Sequence, residues 1–208
     1  EVSWARIRLA RMSSESIQDF LVEFHRRNVA GLESAGSAAV LAQVEKAGEM
    51  VASVLGSGGL LVSAGNGGSM ADAMHLAEEL SGKYRKPRPA LRAVSLSDPT
   101  YLTCVGNDFG YDQVFARGCE ALVRPGDCAV LYTTSGTSRN VLEAARATRQ
   151  SGGLVITMTG RKDSEVGRIA DVALDTGIDV PTEIAQLIHT MWTHMIIEIV
   201  EKRLGYQE

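Results

Sequence analysis

The sequence predicts an α/β fold: a three-layer α/β/α sandwich around a central parallel five-stranded sheet, with helices added at both ends. Three observations predict it. Short apolar runs alternate with segments of helical period along most of the chain, and a parallel sheet with helices on both faces is the economical reading of such alternation. Two of the runs, 60–63 and 129–133, end in small hydroxyl and glycine residues and pass directly into helix patterns. The chain has 208 residues, 45% hydrophobic and 22% charged, which suits one large α/β domain or a domain with a helical appendage.

Two helices come first. Ile17, Leu21, Phe24, Val29 and Leu32 mark one amphipathic face, and Val40, Val44, Ala47, Val51 and Leu55 mark a second, each at helical spacing. Ser13 or Ser14 is placed to cap the first helix from Glu15 onward, because a serine oxygen accepts from the unpaired first-turn amides. Residues 1–11 precede Met12-Ser13-Ser14-Glu15, which looks like a natural start, and are read as an N-terminal extension or a start-site artefact. Strands are expected at 59–64, 92–96, 128–133, 153–158 and 171–175. Helices are expected at 69–82, 99–120 with a break near Gly106 to Gly110, 138–151 and 163–169. Segment 82–90, with two prolines and four basic residues, reads as a surface loop. A last helix runs from about Pro181 to Leu204, where proline suits the first turn because its missing N–H would be unpaired anyway. Right-handed crossovers put every strand C-terminus, and so both Gly/Ser turns, along one edge of the sheet.

Composition excludes several classes. The formal charge is −4 and the basic residues are scattered, so no nucleic-acid footprint is indicated. Cys104, Cys119 and Cys128 are odd in number and lack metal-ligand spacing, as idle thiols of a reducing compartment would. No apolar run approaches membrane-spanning length and no signal-peptide pattern is present, so neither membrane nor nucleic acid is expected as a partner and the location expected is cytoplasmic.

The chemistry concentrates in three segments. Ala64-Gly65-Asn66-Gly67-Gly68-Ser69 and Thr134-Ser135-Gly136-Thr137-Ser138 each join a strand to a helix. Such a junction presents amides, hydroxyls and the positive end of a helix dipole to an anion. One Gly-rich turn is ordinary turn chemistry, but two in a parallel α/β pattern point to a phosphorylated ligand. In the helix after the first turn, Met70, Ala73, Ala77 and Leu80 form the core stripe, while Asp72, His75 and Glu79 share a polar face at i, i+3 and i+7. A His and a Glu one turn apart suit metal coordination or acid–base work; the plainer reading is a solvated face with an incidental contact. Spacing does not separate Glu79 from Glu78; Glu79 is favoured because it stacks on His75. The last helix is apolar nearly all round from Ile184 to Val200, interrupted by Gln186, His189 and His194. A helix of that kind must be buried, which suggests a subunit interface. A histidine there is more often a core residue than a catalytic one, and His194 stands ahead of His189.

Those segments, together with Asp72-Ala73-Met74-His75-Leu76-Ala77-Glu78-Glu79-Leu80, Cys104-Val105-Gly106-Asn107-Asp108-Phe109-Gly110-Tyr111 and Gln186-Leu187-Ile188-His189, resemble the phosphoheptose isomerase (sedoheptulose 7-phosphate isomerase) family of the sugar-isomerase (SIS) fold group. The resemblance is colinear from about Ser14 to Leu204 and implies a single SIS domain, flavodoxin-like, over 12–208. It implies conversion of sedoheptulose 7-phosphate to D-glycero-D-manno-heptose 7-phosphate by a homotetramer whose active sites are shared between subunits. Carried over, Glu79 is the general base and His194 its acid–base partner. Ser69, Thr134, Ser135 and Ser138 hold the phosphate and Asn66, Asp108 and Gln186 contact the sugar, with Gly67, Gly68, Asn107 and Thr133 also at substrate-binding positions. Some members bind zinc through positions matching His75, Glu79, Gln186 and His194; no nucleotide or redox cofactor is implied. The chain departs from the family at Met70, Thr133, Lys83 and Thr137, where members often carry His, Ser, Arg and Asn. Of these, Met70 removes a polar group beside the first loop.

Two rival readings use the same fold: a non-catalytic protein-binding SIS tetramer of the replication initiator-associated type, and a sugar-phosphate sensor. The first lacks counterparts of Glu79 and His194, and the second is normally joined to a DNA-binding domain for which this chain has no room. One geometric expectation follows from spacing. Gln186 and His194 are eight residues apart, roughly 12 Å along a straight helix. If both serve one site they should come from different subunits, with Glu79 and His194 facing each other across the interface.

Overall fold

The computed structural model describes residues 16–177 and 180–206. The caps expected at Ser13 or Ser14, the helix start at Glu15 and the segment 1–11 lie outside these. Helix α1 (Ile17–Ser34) is instead capped by Ser16: its Oγ accepts from the Asp19 amide at 3.1 Å while the Asp19 carboxylate accepts from the Ser16 amide at 3.2 Å, a reciprocal capping box. Helix α2 (Ala38–Gly56) follows, then β1 (Leu61–Gly65), α3 (Gly68–Ser81), β2 (Ala93–Ser95), α4 (Pro99–Phe109), α5 (Ala116–Leu122), β3 (Cys128–Thr133), α6 (Arg139–Gln150), β4 (Leu154–Thr159), β5 (Val172–Asp175) and α7 (Thr182–Arg203). All the strand pairs are parallel and the order is β2-β1-β3-β4-β5. The expected strands are all present, with ends shifted by two residues at most.

Alternation along the strands divides the interior. Cys128, Val130 and Tyr132 of β3 face one way, with Ile156 and Met158 of β4, into a core completed by α1, α2, α3 and α7. Ala129 and Leu131 face the other way, with Val155, into a core completed by α4, α5 and α6. That is the period-two consequence of a sheet covered on both faces.

The break expected near Gly106 to Gly110 within 99–120 is present at the far end of that stretch: α4 runs through Gly106 to Phe109 and stops at Gly110, whose φ of 88° is open to glycine; a mid-helix glycine costs only about 1 kcal/mol. The helix expected over 163–169 is reduced to one 3-10 turn, Gly167–Ile169, after Asp163 takes a left-handed φ of 52°. One face of α7 finds its burial within the chain itself. Ile184, Ile188, Trp192, Ile196 and Val200 are buried within the chain's own core. Gly48 lets α2 come that close, because a Cβ there would meet Ile199 at 2.7 Å.

Candidate active site

The chain order reverses beside β1: β2 lies on one side of it and β3 on the other. In an open parallel sheet that switch point leaves a crevice at the strand C-termini where ligands bind. Both Gly/Ser turns open there, since Gly65, the last residue of β1, is in register with Tyr132 at the end of β3. Gly67 (φ 55°) precedes α3 and Ser138 precedes α6, and neither supplies a side-chain cap. At α3 the Ser69 and Met70 amides already donate to the Asn66 and Gly67 carbonyls, both at 3.0 Å, which leaves the Gly67 and Gly68 amides to face an anion. Within the second turn Thr133 Oγ1 lies 3.1 Å from Ser138 Oγ and 3.4 Å from Ser135 Oγ. Thr133 also accepts from the Gly136 amide at 3.2 Å, so the hydroxyls form one cluster, with Thr134 half-buried beside them. Ser69 is buried at the start of α3, and a Cβ on Gly65 would press on its backbone oxygen at 2.6 Å.

The two turns are tied together through Asn66 by Tyr111 and by Asn140, of which only Asn140 lies outside the segments singled out in the sequence. Asn66 and Asn140 exchange amide hydrogen bonds, both at 2.8 Å, and the Tyr111 hydroxyl donates to Asn66 Oδ1 at 2.9 Å. Asn140 sits one residue inside α6, and helical phase alone would have placed it beside the site. Asn107 and Asp108 are exposed on the last turn of α4, where the Asn107 amide donates to Asp108 at 2.8 Å. Their link to the crevice runs through the following Gly110–Tyr111 corner.

The polar face of α3 meets α7. His75 Nε2 lies 3.3 Å from Glu79 Oε1, and one ligand atom from each of His75, Glu79 and His194 lies within 4.8 Å of the others. The His75 and His194 rings meet edge-on at 4.9 Å. Glu78 is exposed while Glu79 is half-buried, which separates the two carboxylates as spacing had not. This geometry corrects the expectation that Glu79 and His194 face each other across an interface: one chain holds both. Gln186 is placed elsewhere. A Cβ on Gly68 would collide with its amide, so it lies at the start of α3, roughly 10 Å along the helix from His75 by rise per residue. The structure brings together three of the four residues expected around zinc and sets Gln186 beside the phosphate turn.

Asp72 is buried and accepts from the Thr190 hydroxyl at 2.9 Å. Burial pushes its carboxyl above the usual range, and the Thr190 bond offsets part of that. His189 is the core residue: between Tyr132 and Trp192, its imidazole is pushed down to about 4 by burial and is neutral at pH 7. Burial likewise raises Cys119 to about 11 and Cys128 to about 12, so both thiols are inert. Segment 82–90 is only partly a surface loop, because Arg88 turns inward to Glu201, at 2.8 Å. Met70 packs against the α4–α6 core. Beside His194 a cavity of about 470 Å³ is lined by Leu32, Tyr84, Leu187, Thr190, Met191 and Met195. No helix among the described residues is long and apolar enough to cross a membrane.

The SIS domain family matches residues 25–160. The phosphoheptose isomerase of Vibrio vulnificus is 42% identical over 164 residues, 79% of this chain and 86% of that protein. That of Pectobacterium atrosepticum is also 42% identical over 164 residues, covering 79% and 85%. Among solved structures, phosphoheptose isomerase GmhA of Neisseria gonorrhoeae superimposes with a TM-score of 0.82 at 32% identity, over 90% of this chain and 100% of that one. The Francisella tularensis phosphoheptose isomerase gives 0.82 at 28% identity with the same coverage.

Proposed function

This chain belongs to the SIS-domain family and, within it, to the phosphoheptose isomerases, and from that premise we propose how its residues carry the reaction. It is an isomerase of phosphorylated sugars. The substrate we assign is D-sedoheptulose 7-phosphate, converted to D-glycero-D-manno-heptose 7-phosphate. The observation that carries the mechanism is the cluster of His75 and Glu79, on the helix that starts at the first phosphate turn, with His194 of α7, their ligand atoms within 4.8 Å of one another.

Aldose–ketose interconversion moves one proton between adjacent carbons. Glu79 takes the proton from C1 of the ketose, and the C–H electron pair becomes the C1=C2 bond of an enediol(ate). The carbonyl electrons pass to O2, which His194 protonates. His194 then accepts the O1 proton as the new carbonyl forms, and Glu79 returns its proton to C2. Each such group is worth on the order of 10²–10⁴ in rate. Ser69, Thr133, Thr134, Ser135 and Ser138, with the amides of Gly67 and Gly68, hold the phosphate at the two helix starts. Asn66 and Gln186 contact the sugar, with Asn107 and Asp108 at the crevice mouth. Two imidazoles and a carboxylate, half-buried and with coordination positions left over, fit zinc. His75, Glu79 and His194 would hold the ion, which supplies Lewis-acid polarisation of the sugar oxygens when bound.

We assign a homotetramer in the cytoplasm, with 12–208 as a single domain. Its support is exposed apolar surface: Ile17, Phe20, Leu21 and Phe24 stand at helical spacing on α1, and Leu187 is 46% exposed beside the His194 cavity. A neighbouring subunit covering that cavity would close the site without supplying Glu79 or His194.

Ser135→Ala and Ser69→Ala test the phosphate cradle. Each is expected to raise KM for the sugar phosphate about tenfold or more, since a hydrogen bond to a charged group is worth about 1.5–3 kcal/mol. Equal affinity of the unmutated protein for the unphosphorylated sugar would refute the cradle.

A further inference from the structure

The acid–base cluster hangs from α3 and α7, and the same two helices are joined at two further points that the proposed chemistry does not use. The helices run parallel and in step. Gly68 meets Gln186, Asp72 meets Thr190, and His75 and Glu79 meet His194. Beyond the cluster, Arg88 closes the ladder. Its Nε donates to Glu201 Oε1 at 2.8 Å, and its terminal nitrogens donate to the backbone oxygens of Glu79 at 2.6 Å and Leu80 at 2.8 Å. The Arg88 and Glu201 side chains are 2% and 4% exposed.

Neither junction is what stability alone would favour. Asp72 is 8% exposed, accepts one hydroxyl bond and keeps Oδ2 without a hydrogen-bond partner. An apolar pair of the same shape is often as stable as a buried charge or more so. What directional bonds add is register. Apolar packing is non-directional and lets parallel helices slide and rotate, whereas a bond of fixed length at each end does not. Thr190 lies one turn before His194, Asp72 lies one turn before His75, and Arg88 grips the backbone of Glu79 itself.

We propose that Asp72 with Thr190, and Arg88 with Glu201, are positioning residues. They form two polar clamps that fix α3 against α7 and so set the gap between the Glu79 carboxylate and the His194 imidazole. The inference rests on the acid–base reading above. Misplacing a reacting group by about 1 Å costs on the order of a hundredfold in rate, so loss of a clamp acts on kcat and spares the phosphate turns.

The test is Thr190→Val, which keeps the side-chain shape and removes the donor, beside Thr190→Ser, which keeps the donor. The valine variant is expected to lose about ten- to a hundredfold in kcat with KM for the sugar phosphate within about threefold, and the serine variant to recover most of the loss. Arg88→Lys keeps the charge opposite Glu201 but lacks the fork that also reaches the Glu79 carbonyl. It is expected to show the same split between kcat and KM, and it serves if the valine variant does not fold. Unchanged kcat in folded Thr190→Val, serine failing as valine does, or activity lost only in proportion to the folded fraction would each overturn the clamps. Glu79→Gln run alongside separates the two levels. If it abolishes turnover while the clamp variants do not reduce kcat, the clamps fail and the acid–base reading stands; if it keeps turnover, the reading beneath them fails.

Discussion

Glu79→Gln and His194→Asn are each expected to reduce kcat by about 10²–10⁴-fold, the scale of one general acid–base group, while leaving the fold intact. Glutamine keeps the size of the carboxylate and removes its basicity. Asparagine keeps a polar group on α7 and removes the proton carrier. Both positions are half-buried at the cluster rather than packed in a core, so the loss is chemical and not structural. Circular dichroism and melting temperature of each purified variant establish that; turnover within about tenfold of the unmutated protein would remove that residue from the mechanism. Because one chain holds both residues, refolding the two variants together is expected to recover no activity. Each subunit of a mixed oligomer bears either the altered base or the altered acid, and no site has both intact. Recovery in verified mixed oligomers would place the pair across an interface.

Arg88→Ala is expected to be the most destabilising single change. It leaves Glu201, 3% exposed, as an uncompensated buried charge and frees the carbonyls of Glu79 and Leu80 at the end of α3. Removing one partner of a buried ion pair costs about 3–5 kcal/mol, or about 10 °C in melting temperature for a domain of this size. Denaturant unfolding of Arg88→Ala and of the double variant Arg88→Ala/Glu201→Leu checks it. The double variant is expected to regain part of the loss, since the orphaned carboxylate is gone. A single variant as stable as the unmutated protein would show that Arg88 is not the buried partner of Glu201 that the geometry implies.

Much of this was legible in the residues. Strand positions follow from short apolar runs bounded by glycine, proline or aspartate, and the two turns announce themselves by small hydroxyl residues at strand ends. The His75–Glu79 pair follows from helical spacing. What sequence could not give was which helix lies beside α3. Without it the polar interruptions of α7 had no address: His194 came to Glu79 within one chain, His189 went to the core, and Gln186 went to Gly68. Arg88 was hidden for a related reason. A basic, proline-rich loop reads as solvated, and only the tertiary approach of Glu201 explains why one of its cations turns inward. The helix expected at 163–169 failed locally, where Asp163 takes a left-handed backbone that no periodicity signals.

The central claim is that the chain interconverts a phosphorylated seven-carbon ketose and its aldose by proton transfer. The direct measurement is proton NMR of sedoheptulose 7-phosphate incubated with the purified protein in deuterated water. The account predicts that the anomeric signals of D-glycero-D-manno-heptose 7-phosphate appear, with deuterium at C2 wherever the proton on Glu79 exchanges with solvent before its return, and that Glu79→Gln gives neither. A ketose spectrum that stays unchanged with folded protein that binds the sugar phosphate would contradict it.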